Sequence, residues 1–426
     1  MKLKKNHQSA WMATLMTGVA LTHSLAADNP RLTLSTPEQT DLKIEGVEPT
    51  ADEWIRLIEK AKSTIDIEQF YVASKPQSSL EPVLGALENA IKRQVKVRLI
   101  LSNELLDEDK VTFARLKQLK GLELRVLDLS ELMGGIVHTK VWVFDRETVY
   151  VGSANFDYRA LSHIHELGAI VTDKAIAKQL SSIFDFDWEL AQKEKPTLID
   201  AKKLIKKFKW PTKKSAPRTP TQLARYSKLP IELVASPEGF IPPGTRSGIE
   251  ALTSLIDSAK KSLSIQVLYL SPIHNKTEYW NELDTRLRAA ASRGVQVQLL
   301  VSDWTSENSK QIHLKSLAQI PNIQVKMVSI PQAKNEFIPY ARVIHSKYCI
   351  VDGQTLWIGT SNWSKDYFYF SRNIDLIFRS EVQTKNEAIT QLIKNSQLIY
   401  DKLWNSAFAA TLDINKMYVM PKRSEK

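Results

Sequence analysis

A single cysteine, Cys349, occurs in this 426-residue chain, so no disulfide can close within it and no cysteine-based zinc or iron–sulfur centre can form. A small fold stapled by disulfides is therefore excluded. Glycine and proline number only 14 and 18, which rules out collagen-like and low-complexity chains. Beyond the first 26 residues no apolar run approaches the ~20 residues that span a bilayer. What is present is a 43% hydrophobic content, too high for a disordered chain. At ~100–200 residues per domain, the length predicts two or three domains, each burying its own core.

The first residues read as an address. Lys2, Lys4 and Lys5 precede an apolar stretch from Trp11 to Leu21, followed by the small-residue run Ser24-Leu25-Ala26-Ala27. That order describes a secretory signal peptide over 1–26. The alternative, a membrane anchor, needs a longer apolar stretch. The expectation is an exported protein, periplasmic or secreted, with no integral membrane segment after cleavage.

Positive charge is concentrated in one place. Residues 1–26 hold three lysines and no acid, so the remainder carries +8 of the chain's net +11. Between Lys193 and Lys228 lie twelve Lys/Arg and two acids, which leaves the rest of the mature chain near −2. This segment also holds Pro196, Pro211, Pro217 and Pro220, and 193–228 reads as a basic linker. It is either a contact for polyanions, nucleic acid or anionic membrane, or a solvated connector.

The chain contains itself twice. Ala61-Lys62 through Ile65 and Ile67 to Tyr71 returns as Ala259-Lys260 through Leu263 and Ile265 to Tyr269. Val95-x-Val97-x-Leu99 returns as Val295-x-Val297-x-Leu299, and His138-Thr139-Lys140 as His345-Ser346-Lys347. The offset rises slowly while element order is kept, the mark of a duplicated domain: 27–192, then the linker, then 229–426. In each copy, strands of alternating apolar residues interleave with helical spacing, as in Ile65–Tyr71, Leu84–Arg93 and Val95–Leu101. Further strands are predicted at Lys140–Phe144, Val149–Gly152 and Leu167–Val171, then a helix near Lys174–Leu190. The second copy repeats the order, and the fold class is α/β with covered sheets. Packing about a pseudo-twofold axis would bring equivalent loops to one seam.

The first copy reads His138-x-Lys140-x4-Asp145-x6-Gly152-Ser153-x-Asn155, and the second His345-x-Lys347-x4-Asp352-x6-Gly359-Thr360-x-Asn362. Six fixed positions recur by chance about once in 10⁷–10⁸ starts. Strand alternation predicts that His138 and Lys140 share one face. Imidazole serves as nucleophile or general acid near neutral pH, lysine is a fixed positive charge, and Asn155 and Ser153 add donors. Such groups suit a phosphoryl centre, with donors for its oxygens and a nitrogen for in-line attack. Displacement at a diester needs an attacking group and an acid for the leaving oxygen, and two copies supply both.

This pattern resembles the paired HKD motifs of the phospholipase D superfamily, here His138/Lys140/Asp145 and His345/Lys347/Asp352, over nearly the whole mature chain. Gly152-Ser-Ala-Asn-Phe-Asp-Tyr-Arg159, Glu166-Leu-Gly168 and Gly359-Thr-Ser-Asn-Trp-Ser364 are similar to the endolysosomal phospholipase-D-like branch of animals and its poxvirus homologues. The resemblance implies two homologous α-β-α lobes related by pseudo-twofold symmetry, with one active site at their interface and no cofactor. It implies a metal-independent phosphodiesterase acting on single-stranded nucleic acid, or else a phospholipase or transphosphatidylase. A catalytically silent scaffold is the third alternative. By the same resemblance His138 attacks phosphorus to give a phosphohistidine, while His345 protonates the leaving oxygen and then activates water or an alcohol. Lys140, Lys347, Asn155 and Asn362 would hold the phosphoryl oxygens, and pseudo-symmetry leaves the reverse choice of histidine open. A downstream carboxylate orients each imidazole in the family. Glu166 fits for His138, whereas the equivalent position after His345 is Asn373, with Asp375 two residues on. This asymmetry favours His138 as the better-polarised nucleophile. Asp145 and Asp352 read as ties between strand and turn.

Other residues carry weaker signals. Tyr71 and Tyr269 end equivalent strands, where they either stack on bases or pack. Trp363, Tyr367, Phe368, Tyr369 and Phe370 suit a base-stacking or acyl-binding wall, or packing between lobes, and Ser153 and Thr360 are candidate substrate donors. His163 and His165 lack zinc-protease spacing, His274 and His313 read as surface residues, and Glu104, Asp107, Glu108 and Asp109 as a solvated cluster.

Overall fold

The structure, a computed structural model, describes residues 29–210, 229–275, 277–380 and 386–424. The expected signal peptide and the second half of the expected linker lie outside these residues. The first lobe comprises β1 (Arg31–Ser35), α1 (Thr50–Lys60), β2 (Thr64–Gln69), β3 (Val72–Ala73), α2 (Glu81–Lys92) and β4 (Lys96–Ser102). It continues with α3 (Lys110–Gln118), β5 (Leu122–Leu127), β6 (Lys140–Phe144), β7 (Thr148–Gly152), β8 (Phe156–Asp157) and α4 (Tyr158–Ser162). β9 (Glu166–Thr172), α5 (Lys174–Leu190) and α6 (Leu198–Lys207) complete it.

The second lobe repeats this plan. Its first part is β10 (Ile231–Ser236), β11 (Arg246–Ser247), α7 (Gly248–Ser258), β12 (Ser262–Val267), β13 (Ile273–His274), β14 (Glu278–Tyr279) and α8 (Glu282–Ser292). Then come β15 (Gln296–Ser302), α9 (Asn308–Ala318), β16 (Ile323–Val328), β17 (Tyr348–Val351) and β18 (Thr355–Gly359). α10 (Lys365–Tyr369), β19 (Asn373–Arg379), α11 (Glu387–Trp404) and β20 (Ala409–Thr411) close the chain.

The strand order β1-β9-β7-β6-β2-β4-β5 in one sheet matches β10-β19-β18-β17-β12-β15-β16 in the other. β2, β4 and β5 run parallel, as do β12, β15 and β16, and the motif-bearing hairpins β6–β7 and β17–β18 are antiparallel. Period-two alternation explains how both faces are buried. Val141 and Val143 of β6 point into a core shared by the lobes, whereas Trp142 and Phe144 point into the first lobe's outer core under α1 and α2. Tyr348 and Ile350 of β17 likewise face the shared core, and Cys349 and Val351 the second lobe's outer core.

Helices α5 and α11 line the shared core. Asp173 caps α5 by accepting from the N–H groups of Ala175 and Ile176 at 2.8 and 3.0 Å. Ile176, Leu180, Ile183 and Asp187 then recur every three to four residues on its buried face. The expected connector begins as structure: Thr197 and Asp200 form a capping box, and α6 docks Ala201, Leu204 and Ile205 on the first lobe beside Phe208 and Trp210. No helix among the described residues is long and apolar enough to cross a membrane.

Candidate active site

The two motif segments enter the seam through backbone pairing with the opposite lobe. His138 lies just before β6 and donates its N–H to the carbonyl of Arg372 at 3.0 Å, next to a parallel bridge between Val137 and Arg372. His345 does the same with His165 at 2.9 Å. Each imidazole is thus fixed by the residue that precedes β19 or β9 of its neighbour.

The same crossing sets the side-chain partners and corrects the sequence reading. Glu166 does not serve His138; its Oε1 lies 2.7 Å from Nδ1 of His345. His138 Nδ1 instead meets Oδ1 of Asn373 at 3.1 Å. The Asn373 amide is held by Nδ2 donating to the Tyr367 carbonyl at 2.8 Å and by Thr360 Oγ1 donating to Oδ1 at 2.8 Å. Its oxygen therefore faces the ring, so His138 must carry hydrogen on Nδ1 and a lone pair on Nε2. Asp375, the other candidate, is elsewhere: its carboxylate accepts from Thr360 N, Ser361 N and Ser361 Oγ. A Cβ on Gly359 would stand 2.0 Å from that carboxylate, which accounts for the motif glycine.

Lys140 and Lys347 are fully buried, and each donates one Nζ hydrogen to the carbonyl of its own motif histidine, at 2.8 and 2.6 Å. Burial, reinforced by Lys347, pushes the Lys140 ammonium well down, and burial lowers Lys347 to about 7. Both histidines are driven well below the ordinary imidazole range by burial and then by the two lysines. Burial raises Glu166 to about 8 against the pull of Lys347. The seam gathers two buried lysines, suited to an anion that restores both ammonium charges.

The remaining predicted residues divide. Asn155 is buried with Nδ2 3.4 Å from the Tyr71 hydroxyl, and Asn362 pairs with Tyr367. Ser153 is committed to the Leu167 backbone, donating to its carbonyl at 3.2 Å and accepting from its N–H at 3.1 Å. Thr360 is spent on Asn373 and Ile374. These two hydroxyls hold the site's framework and are not free donors. Tyr71 is buried and donates to Asp157, which also binds Arg159; Tyr269 is tied to Tyr367. Trp363 is fully buried in the second lobe's outer core beside Trp357 and lines no cleft. Asp145 and Asp352 sit at the far ends of β6 and β17, each gathering three backbone N–H groups, from Lys62, Ser63 and Thr64 or from Lys260, Lys261 and Ser262. They tie strand to turn and do not touch the seam.

His274 is buried against Phe370 with Nδ1 3.0 Å from an Asp366 oxygen, not at the surface. Asp109 caps α3, and Glu108 pairs with Arg159. Sequence reasoning missed Phe70, half-buried with its ring 5.2 Å from His138, and the hub role of Tyr367, 4.6 Å from His138. It also missed His165 and Arg372, although their shared offset of 207 with the two motifs marks them as equivalents.

A model of the family described as cardiolipin synthase, PLD-like domain, matches residues 54–188 and 252–397. The chain belongs to the PLD-like family. A protein of Xenopus laevis named 5'-3' exonuclease PLD3 is 33% identical over 387 residues, covering 84% of this chain and 76% of that one. Phospholipase D Z of Dictyostelium discoideum is 32% identical over 386 residues, with 84% and 86% covered. The crystal structure of a phosphatidylserine synthase from Haemophilus influenzae superposes with a TM-score of 0.56 at 14% identity, over 85% of both chains, and shares the fold. This PLD-like chain is therefore an enzyme of the superfamily's phosphodiesterase class, with the histidine and lysine of both HKD motifs at the seam between its PLD-like lobes.

Proposed function

We propose that the chain hydrolyses single-stranded nucleic acid without a metal ion, through a phosphohistidine on His138. The observation that carries the reading is the unequal pairing of the two imidazoles, amide on one side and carboxylate on the other. Asn373 fixes His138 as a neutral ring with the Nε2 lone pair free, the state a nucleophile needs. The Glu166–His345 pair retains a proton below about pH 8. When that proton sits on the carboxyl and is donated to Nδ1, the hydrogen of His345 lies on Nε2 and faces the leaving oxygen. His138 thus keeps the role expected from the resemblance, on a physical ground opposite to the one the sequence offered.

In the first step His138 Nε2 bonds to phosphorus, the P–O bond to the leaving nucleoside breaks, and that oxygen takes the Nε2 proton of His345 as the Glu166 proton passes to His345 Nδ1. His345, neutral with Nε2 now free, removes a proton from water while its Nδ1 proton returns to Glu166. The resulting hydroxide attacks phosphorus, the P–N bond breaks and His138 is regenerated. Lys140 and Lys347 neutralise the equatorial oxygens throughout, and Asn155 and Asn362 orient them.

Nucleic acid is favoured by the relatives named 5'-3' exonucleases and by the basic stretch that begins at Lys193. A lipid substrate is the second reading, favoured by Leu198 and Ile199, which are exposed on α6 beside Lys202, Lys203 and Lys206. Both are tested by incubating the protein in excess EDTA with labelled single-stranded oligonucleotide and, in parallel, labelled phospholipid vesicles. Oligonucleotide cleavage abolished in both His138→Ala and His345→Ala is the expected result. Headgroup release instead would move the enzyme to lipids. A trapped adduct on His345 would reverse the two histidine roles.

A further inference from the structure

Phe70 marks a second break in the pseudo-twofold symmetry of the site, besides Glu166 and Asn373. It follows β2 and precedes Tyr71, so its counterpart in the second lobe, one residue before Tyr269, is Leu268. Phe70 is half-buried amid side chains that are otherwise buried. Its ring lies 5.2 Å from His138 at 61° and 5.5 Å from Tyr71 at 72°, with Lys140 Nζ 5.1 Å from its centroid. The ring is held stiffly. Tyr71 is anchored through Asp157 and Arg159, and the Phe70 carbonyl accepts from Ser102 N–H at 3.2 Å. Leu268 has no such opening: it is buried in a cluster with Ile164, Ile338, Ala341 and Val343, the last three from the segment that leads to His345.

An open aromatic ring beside the attacking nitrogen, under a cation, is a surface for a π-face, and every nucleobase presents one. An aliphatic side chain buried in an apolar cluster offers none. We propose that Phe70 is the stacking platform for the nucleobase next to the scissile phosphate, and that Leu268 leaves the other side of the phosphate without one. The cleft then takes a strand in one direction despite its twofold catalytic groups. This inference rests on the nucleic-acid reading above. Of the residues the sequence offered for stacking, Tyr71 and Trp363 are buried, and Tyr269 is half-buried with its hydroxyl tied to Tyr367.

The test uses the full-length protein and three hexathymidylates: one intact, and two carrying a single abasic residue on one or the other side of the cleaved bond. The wild type is expected to lose roughly 5- to 150-fold in kcat/KM with one abasic substrate and little with the other, the range that one base-stacking contact represents. Phe70→Leu, which copies the second lobe, brings the two abasic substrates to within about twofold of each other, and Phe70→Trp preserves the difference. Equal use of both abasic substrates by the wild type overturns the platform while leaving the nuclease reading intact. An undiminished difference in Phe70→Leu overturns it too. Failure to cleave any of the three, with headgroup released from vesicles, overturns the nucleic-acid reading and this inference with it.

Discussion

Two residues decide what the two catalytic imidazoles can do. Glu166 and Asn373 occupy equivalent places, and in the mechanism proposed above the difference between a carboxylate and an amide would make one histidine a proton carrier and the other a fixed neutral base. With Glu166 raised to about 8, kcat/KM should fall as pH rises through that value, because the protonated pair supplies the proton for the leaving oxygen. Lys347, lowered to about 7, loses its charge in the same direction. Glu166→Gln should lower kcat by roughly 10²–10⁴-fold and remove the alkaline limb that Glu166 governs, read from a pH–rate profile on an oligonucleotide. Asn373→Asp should have the converse effect. A carboxylate beside His138 stabilises its imidazolium, so the acid limb should move to higher pH. An acid limb left in place would remove the argument for His138 as the neutral partner.

At the scale of elements, the HKD aspartates are understood as strand ties. Asp145 and Asp352 each adopt a left-handed backbone, φ 51° and 54°, that aspartate tolerates better than most residues. From there each carboxylate collects three N–H groups ahead of β2 or β12. Asp145→Ala and Asp352→Ala should each cost about 1–3 kcal/mol, measured by urea denaturation, since backbone donors lose a charged acceptor. The same variants should retain turnover while folded. A large loss of kcat with unchanged stability would return these aspartates to the chemistry. The motif spacing was legible in the sequence because β6 and β17 are short and the turns after them are tight. β1 and β10 were not, because β1 at a sheet edge and β10, flanked outside only by the two-residue β11, carry too short an alternation to stand out.

For the whole molecule, the seam depends on contacts that join the lobes from behind. Arg372 and Asp187 are fully buried and bonded bidentately at 2.7 and 2.8 Å, joining the start of β19 to α5. Arg372 also donates to the carbonyls of Ser236 and Phe240, and its own carbonyl holds His138. Arg372→Met should destabilise the protein by roughly 3–5 kcal/mol, because Asp187 would be left buried without its partner. Pairing it with Asp187→Leu should recover much of that loss in a denaturant titration. If the single and double variants were equally unstable, the ion pair would not be what joins the lobes there.

The amino-acid sequence by itself determined the duplication, the α/β class and the two sets of His, Lys and Asn, because periodicity and spacing are local properties of a chain. It could not say which lobe supplies each histidine's partner, since residues 138 and 373, or 166 and 345, meet only when two sheets close on one another. Nor could it separate Phe70 from Tyr71, adjacent aromatics of which Tyr71 is tied down by Asp157 and Phe70 is half-buried beside His138. Those distinctions are made by burial and by competing hydrogen-bond partners, and both are products of tertiary packing.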